Sequence, residues 1–272
     1  PSSPASGSLP STSVVGVQNS AVSSTTATTA TGPAASLSAS QAVGGVASES
    51  QGASLAKTTT GNALSVGSAF SGAALQGRGV ATSTGITTDG TALSTGWSSV
   101  VSANSDASAA SSAVSGTGNA GSVAQAYGLG VLEGKATTAS SAGTTAGSVA
   151  SGALSAAVGL IQAQSTAASS GQTRDGNVQS LAGALSLAGV NSVARATSSG
   201  ATPTGDVQSR AAAAGLGLFH GEANAISAAG TGCIDCVSDA VANAFSSGLV
   251  ADSTAAATAD LSLIHISQGI VR

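Results

Sequence analysis

Two periods run through this chain together, and between them they leave few folds open. The long one is a glycine-opened copy of about 29 residues. Copies begin at Gly32, Gly61, Gly90, Gly118, Gly147, Gly176, Gly205 and Gly232, with spacings of 29, 29, 28, 29, 29, 29 and 27. A shorter, degenerate copy precedes them from about Leu9. Fixed columns recur in phase with the glycine. Four residues on stand Ser36, Ser65, Ser94, Ser122, Ser151, Ser180 and Ser209, then Cys236. Twenty-two residues on stand Ser54, Ser83, Ser112, Ser140, Ser169, Ser198 and Ser227, then Thr254. Four further on stand Thr58, Thr87, Gly116, Thr144, Thr173, Thr202, Thr231 and Thr258.

The short period is two. In GNAGSVAQAYGLGVLEGK, from Gly118, every second residue is Gly, Ala or Ser for a dozen places, and the residues between vary freely. Alternation is the strand signature, because successive side chains leave a strand on opposite sides. Helix is the rival for Ala211–Ala214, but its period would be 3.6. Strands repeated at a fixed period of this length describe a solenoid, in which each copy stacks on the one before. The expected fold is all-β: one β-solenoid of about eight to nine 29-residue coils with two main sheets. The expected layout is an N-terminal cap and degenerate coil over 1–31, repeats over 32–260, and a C-terminal strand or cap over 261–272.

Two corners close each coil. The opening glycine marks one, often beside a turn residue, as in Asp89-Gly90 and Asp175-Gly176, and glycine takes a positive φ there without steric cost. The other is expected 14 to 17 residues on, where Glu49, Arg78, Asp106, Glu133, Lys135 and Glu222 cluster. Each side is then about 13 residues, or ~40 Å.

The alternation also predicts the core. With the small residues inside, two sheets approach across a slot that admits only Ala, Ser, Gly and Thr, and the Ser and Thr columns become buried hydroxyl ladders. The first outer face then carries Val66, Phe70, Trp97, Val123, Tyr127, Leu129, Val158, Leu160, Leu181, Leu185 and Leu216. An apolar face of that extent marks an interaction surface. The opposite parity would bury those residues instead. Against it, their columns range in size from Gly72 to Leu129 and from Gly183 to Trp97, and Gln125 and Arg210 lie among them.

Composition limits function. Only 7% of residues are charged, and the seven Lys and Arg are scattered, so nothing offers a nucleic acid or an anionic membrane a footprint. A mean hydropathy of +0.32 argues against a solvated tail. No apolar run is long enough for a transmembrane helix. The chain opens at Pro1 with neither Met nor leader, which fits a processed secreted protein or a fragment of a longer one; the expected location is extracellular. Cys233 and Cys236 form a lone CxxC without a second ligand pair for zinc or a thioredoxin-like context, so a local disulfide is the candidate, with two small buried residues as the alternative. His220 and His265 have no nucleophile or carboxylate at recognisable spacing, and no phosphate loop occurs. We expect no enzyme, cofactor or metal. Pro1, Pro4 and Pro10 suit a segment that blunts a sheet edge, since proline donates nothing to a ladder.

The stretches VATSTGITTDG (80–90) and SSTTATTATG (23–32), with the compressed small-residue core, give a likeness to a known family. The pattern resembles the hyperactive insect antifreeze proteins, the flat β-solenoids of longhorn beetles among them, and the composition is similar to that of arthropod silk. The antifreeze resemblance implies outward threonine rows, carried here by Thr82, Thr84, Thr137 and Thr166, and an ice surface as partner. The rows do not recur coil after coil, and Lys57 and Arg195 interrupt them. The expected function is a structural protein that self-associates as a homo-oligomer or filament, through its apolar face and ends, into fibres or a coating. The alternative is an ice-binding protein.

Overall fold

The structure, a computed structural model, describes residues 5–6, 11–233 and 235–261. It is a single parallel β-solenoid of about eight turns, spaced about 29 residues apart. The Gly61 coil shows the plan: strand Ala63–Ala73 on the first sheet, a corner at Ala74 and Leu75, then strand Gln76–Asp89 on the second. Strands Val149–Gly159 and Gln162–Asp175, Val178–Ala188 and Asn191–Thr202, and Val207–Gly217 and His220–Thr231 repeat it. In the Gly32, Gly90 and Gly118 coils one continuous strand bends through the corner: Ala34–Thr60, Ala92–Thr117 and Ala120–Ala146. Strand Ser11–Thr31 precedes them, and Ser238–Ser247 with Val250–Leu261 closes the described stack. The cap expected over 261–272 lies outside the described residues, apart from Leu261 at the end of the last strand.

The opening glycines turn the chain as their position demands. Gly32, Gly61, Gly90, Gly118, Gly147, Gly176 and Gly205 all have φ between 97° and 131°, and among the described residues no other residue type has positive φ. L side chains avoid that region, so the long period of the sequence is the period of one corner.

The small residues face inward. Among the described residues the buried apolar side chains are alanines and four valines, and the buried polar ones are serines and threonines. The sheets are too close for more. A Cβ at Gly96 would lie 2.6 Å from the Ala110 carbonyl oxygen across the slot, and one at Gly85 2.7 Å from that of Leu93. The slot is slightly wider than expected, because valine also enters it, but only opposite glycine. Val100 fills the space over Gly77, Val178 that over Gly171, and Val207 that over Gly200. Such local compensation of volume keeps density uniform in a core with no large side chains.

Two irregular coils correct the column assignment. The Gly90 coil is one residue short, and the register shifts between Ser102 and Asn104, at the second corner. Beyond it Ser83 pairs with Ser111 and Thr87 with Ser115. Ser112, expected in the inner ladder, therefore points outward and Ser111 takes its place. Ser115 likewise fills the threonine column assigned to Gly116. At the other end, Val207 pairs with Ser238, an offset of 31. Gly232 is thus not the eighth opening residue, and Cys236, Thr254 and Thr258 are not in the expected columns. Ser209 faces Ala240, and Ser227 faces Ala257.

Candidate functional site

The inner columns are the scaffold on which any surface site rests. Hydroxyls from both sheets meet in one zigzag line down the core. Ser54 donates to Ser36 at 3.0 Å, and Ser65 of the next coil donates to Ser54 at 2.9 Å. The sequence continues through Ser83, Ser94, Ser111, Ser122 and Ser140. It runs on through Ser151, Ser169, Ser180, Ser198, Ser209 and Ser227. At its start Ser36 donates to Thr25 Oγ1 at 2.8 Å. Every donor points towards the N-terminal end, an arrangement in which each bond polarises the next. Fifteen hydroxyls thus occupy the slot with their hydrogen bonds made. Ser98 and Thr138, buried elsewhere in the core, find no protein partner.

The threonine column has a different task. Thr58, Thr87, Thr144, Thr173 and Thr231 donate to the carbonyls of Gly32, Gly61, Gly118, Gly147 and Gly205. Ser115 does the same for Gly90. Thr202 instead donates to the Thr204 carbonyl. The column holds the corner that the glycine opens, and it is buried, so these threonines are unavailable to a ligand.

Outward residues of the first sheet form the apolar face. Trp97, Val123, Leu129, Val158, Leu181 and Leu185 are exposed, and Val66, Phe70, Tyr127 and Leu216 are half-buried by their ladder neighbours. Trp97 keeps 40% of its surface and Leu185 46%. Leu160 is not on this face. It sits at the second corner, past the end of Val149–Gly159.

That corner differs from expectation. It is not charged but apolar, and its residues stand 14 places after the opening glycine: Val46, Leu75, Leu132, Ile161, Val190 and Phe219. All are exposed, Phe219 to 57%. Backbone bonds stack them coil on coil, for example Leu75 N–H to Val46 O at 3.2 Å and Ile161 N–H to Leu132 O at 3.0 Å. The short Gly90 coil places Ala103 and Asn104 here, which notches the ridge. This column was legible in the sequence at a constant offset. The charges fall just beyond the corner. Glu49, Arg78, Asp106 and Lys135 stack in one outward column with alternating sign, and Glu133 opens the second-sheet half of its coil, level with Gln162. The Arg78–Glu49 pair is 3.8 Å apart and well exposed, so it sets order in the column more than it adds stability.

The second face is built of smaller residues. Its middle columns run Thr82, Ala110, Ala139, Ala168 and Thr197, and beside them Thr84, Ser112, Ser141, Ser170 and Ser199. Thr82, Thr84, Thr137 and Thr166 all point outward here, but over three different columns. Arg195 and Glu222 pair across it at 3.2 Å. The candidate disulfide joins Cys233 to Cys236 at the wide 31-residue step, where Cys236 Sγ accepts from the Gly205 N–H at 3.2 Å. His220 opens a strand of the second sheet, half-buried, and His265 lies outside the described residues. Among the described residues no group of three His, Cys, Asp or Glu side chains is placed to hold a metal, and no helix is long and apolar enough to cross a membrane.

The fold therefore defines a class: a parallel β-solenoid of about 29-residue coils with a small-residue, hydroxyl-bonded core. Comparison with protein families, curated proteins and solved structures finds no match.

Proposed function

We propose that this is an extracellular structural protein that associates with copies of itself, through the apolar face of its first sheet, into a fibre or coating. The observation that carries the reading is the continuity of that face. Large apolar side chains occupy it in every coil from Leu64 to Leu216, and the ridge from Val46 to Phe219 extends it around the corner. By strand and coil spacing the flat part alone covers roughly 700 Å². A monomer seldom exposes more than a few hundred Å² in one patch, whereas a stable interface buries ~800 Å² per partner. The disulfide supports an oxidising compartment. The strand Val250–Leu261 pairs on one side only among the described residues, and a free edge of this kind is a template for a further coil.

Sedimentation velocity of the full chain tests the reading. Micromolar protein is expected to sediment as oligomers, and Leu181→Ser with Leu185→Ser is expected to return it to monomer without loss of β-signal. A chain that stays monomeric up to hundreds of micromolar overturns the proposal.

A second reading rests on the other face. Its middle columns are small and even in height, and Thr137 and Thr166 stand outward as ladder neighbours, an arrangement suited to ordering water against ice. Thermal hysteresis by monomeric protein, abolished by Thr166→Tyr, favours this reading. Freezing-point behaviour no different from a neutral control protein removes it.

A further inference from the structure

Resting on the self-association reading, we propose that the second copy docks face to face about a twofold axis. The axis runs parallel to the strands, between the Gly147 and Gly176 coils. Such an axis keeps each outward column opposite itself and reverses the order of the coils. The two coils flanking the axis then oppose one another, as do the Gly118 and Gly205 coils outside them.

The outward residues of these coils complement in size under that operation. Within one chain Gly152 neighbours Leu181, Leu154 neighbours Gly183, and Ala156 neighbours Leu185. The twofold sets each large residue of these pairs over the small residue of the partner. One coil further out it sets Tyr127 over Ala214 and Gln125 over Ala212, and, to either side of them, Val123 beside Arg210 and Leu129 beside Leu216. The small members are not scattered. Ala156, Gly183, Ala212 and Ala214 floor one hollow of about 630 Å³, walled by Tyr127, Leu154, Leu185 and Phe245. Leu154 leans over Gly183 of its own chain and takes an upright rotamer to enter the partner, a change of the ordinary kind at interfaces. Val158 meets Leu187 at the margin of the face, beside the apolar corner.

Neighbouring arrangements fail on the same residues. An axis through the Gly147 coil sets Leu154 against its own copy. An axis between the Gly118 and Gly147 coils sets Gln125 against Leu154. An axis between the Gly176 and Gly205 coils sets Gly183 over Ala212, small on small, and Leu154 against Asn243. A twofold along the solenoid, through the middle column, again sets Leu154 on itself and Val123 on Tyr127. Sheets pack by interdigitation, and an isologous contact must be complementary to itself, so one register is selected.

The pair Tyr127 and Ala214 tests this. In one chain they lie three coils apart, the ladder running Tyr127, Ala156, Leu185, Ala214, or ~14 Å, beyond direct contact. Across the twofold they touch. Ala214→Leu is expected to weaken dimerisation at least ~10-fold by sedimentation equilibrium, and adding Tyr127→Ala to restore it to within about threefold, a coupling that only contact produces. If either variant loses its native circular dichroism, Ala212→Leu with Gln125→Ala, which are also three coils apart in one chain, replaces them. Association by the wild type without that coupling overturns the twofold and leaves self-association standing. A monomeric wild type overturns both.

Discussion

At the scale of the residue, a line of hydroxyls runs through a core otherwise filled by alanine and a few valine methyls. Each serine of the central line donates, and each but Ser227 at its end also accepts. Ser122→Ala breaks the line: Ser111 loses the donor it holds at 3.0 Å, and Ser140 loses an acceptor at 2.9 Å while keeping the Ser122 carbonyl. The expected loss is about 1–3 kcal/mol in denaturant or thermal unfolding, against less than about 0.5 kcal/mol for Ser112→Ala, which faces outward. That contrast separates two serines that composition cannot tell apart. Gly96→Ala tests the narrowness of the slot. Its methyl would meet the Ala110 carbonyl at 2.6 Å, which forces the sheets apart at an expected cost of about 1–3 kcal/mol. Gly230→Ala, with nothing within 4 Å, is expected to leave the melting temperature unchanged or raise it.

At the scale of the element, what matters is how a strand ends. Gly147 has φ 127°, and the Thr173 hydroxyl donates to its carbonyl at 3.1 Å. Gly147→Ala is expected to destabilise by about 1–2 kcal/mol, because the alanine must hold a left-handed backbone. Thr173→Val keeps the volume, removes the donor, and is expected to cost about 1 kcal/mol. Both effects are read by thermal unfolding, and both belong to a corner that recurs, so Gly118→Ala and Thr144→Val are expected to behave alike. The glycine corner was legible because one residue type alone satisfies it. The second corner was not, because it has no positive φ and no obligatory residue. Its apolar column could be counted out from the glycine, but no backbone rule draws attention to it.

At the scale of the molecule, each coil touches only the coils beside it, so the chain is a stack without a centre. Deleting residues 147–175 removes 29 positions, one whole coil, and joins Ala146 to Gly176. Since Ala146 pairs with Asp175 in the stack, the new junction keeps the geometry of the old one, and Ser180 takes the place of Ser151 over Ser140. The shortened chain is expected to fold with unchanged β circular dichroism and a lower melting temperature. Removing 147–161 alone leaves half a coil and reverses the faces, and that chain is expected to lack the native spectrum.

The residue order by itself determined the strand, the length of the coil and its glycine corner. Period-two alternation and a recurrent positive-φ position have no other regular solution. It also narrowed the inside to the small side, since Arg210 and Gln125 have no place in a dry slot. Tertiary structure alone decided the alignment of the irregular coils. Counting from the last glycine put Ser112 and Cys236 in the ladder. Pairing with the previous coil puts Ser111 there instead and leaves Cys236 to the disulfide. Register in a parallel stack is held by backbone bonds between coils, so a missing or extra residue is absorbed at the nearest corner, and only the neighbouring coil records which corner that was.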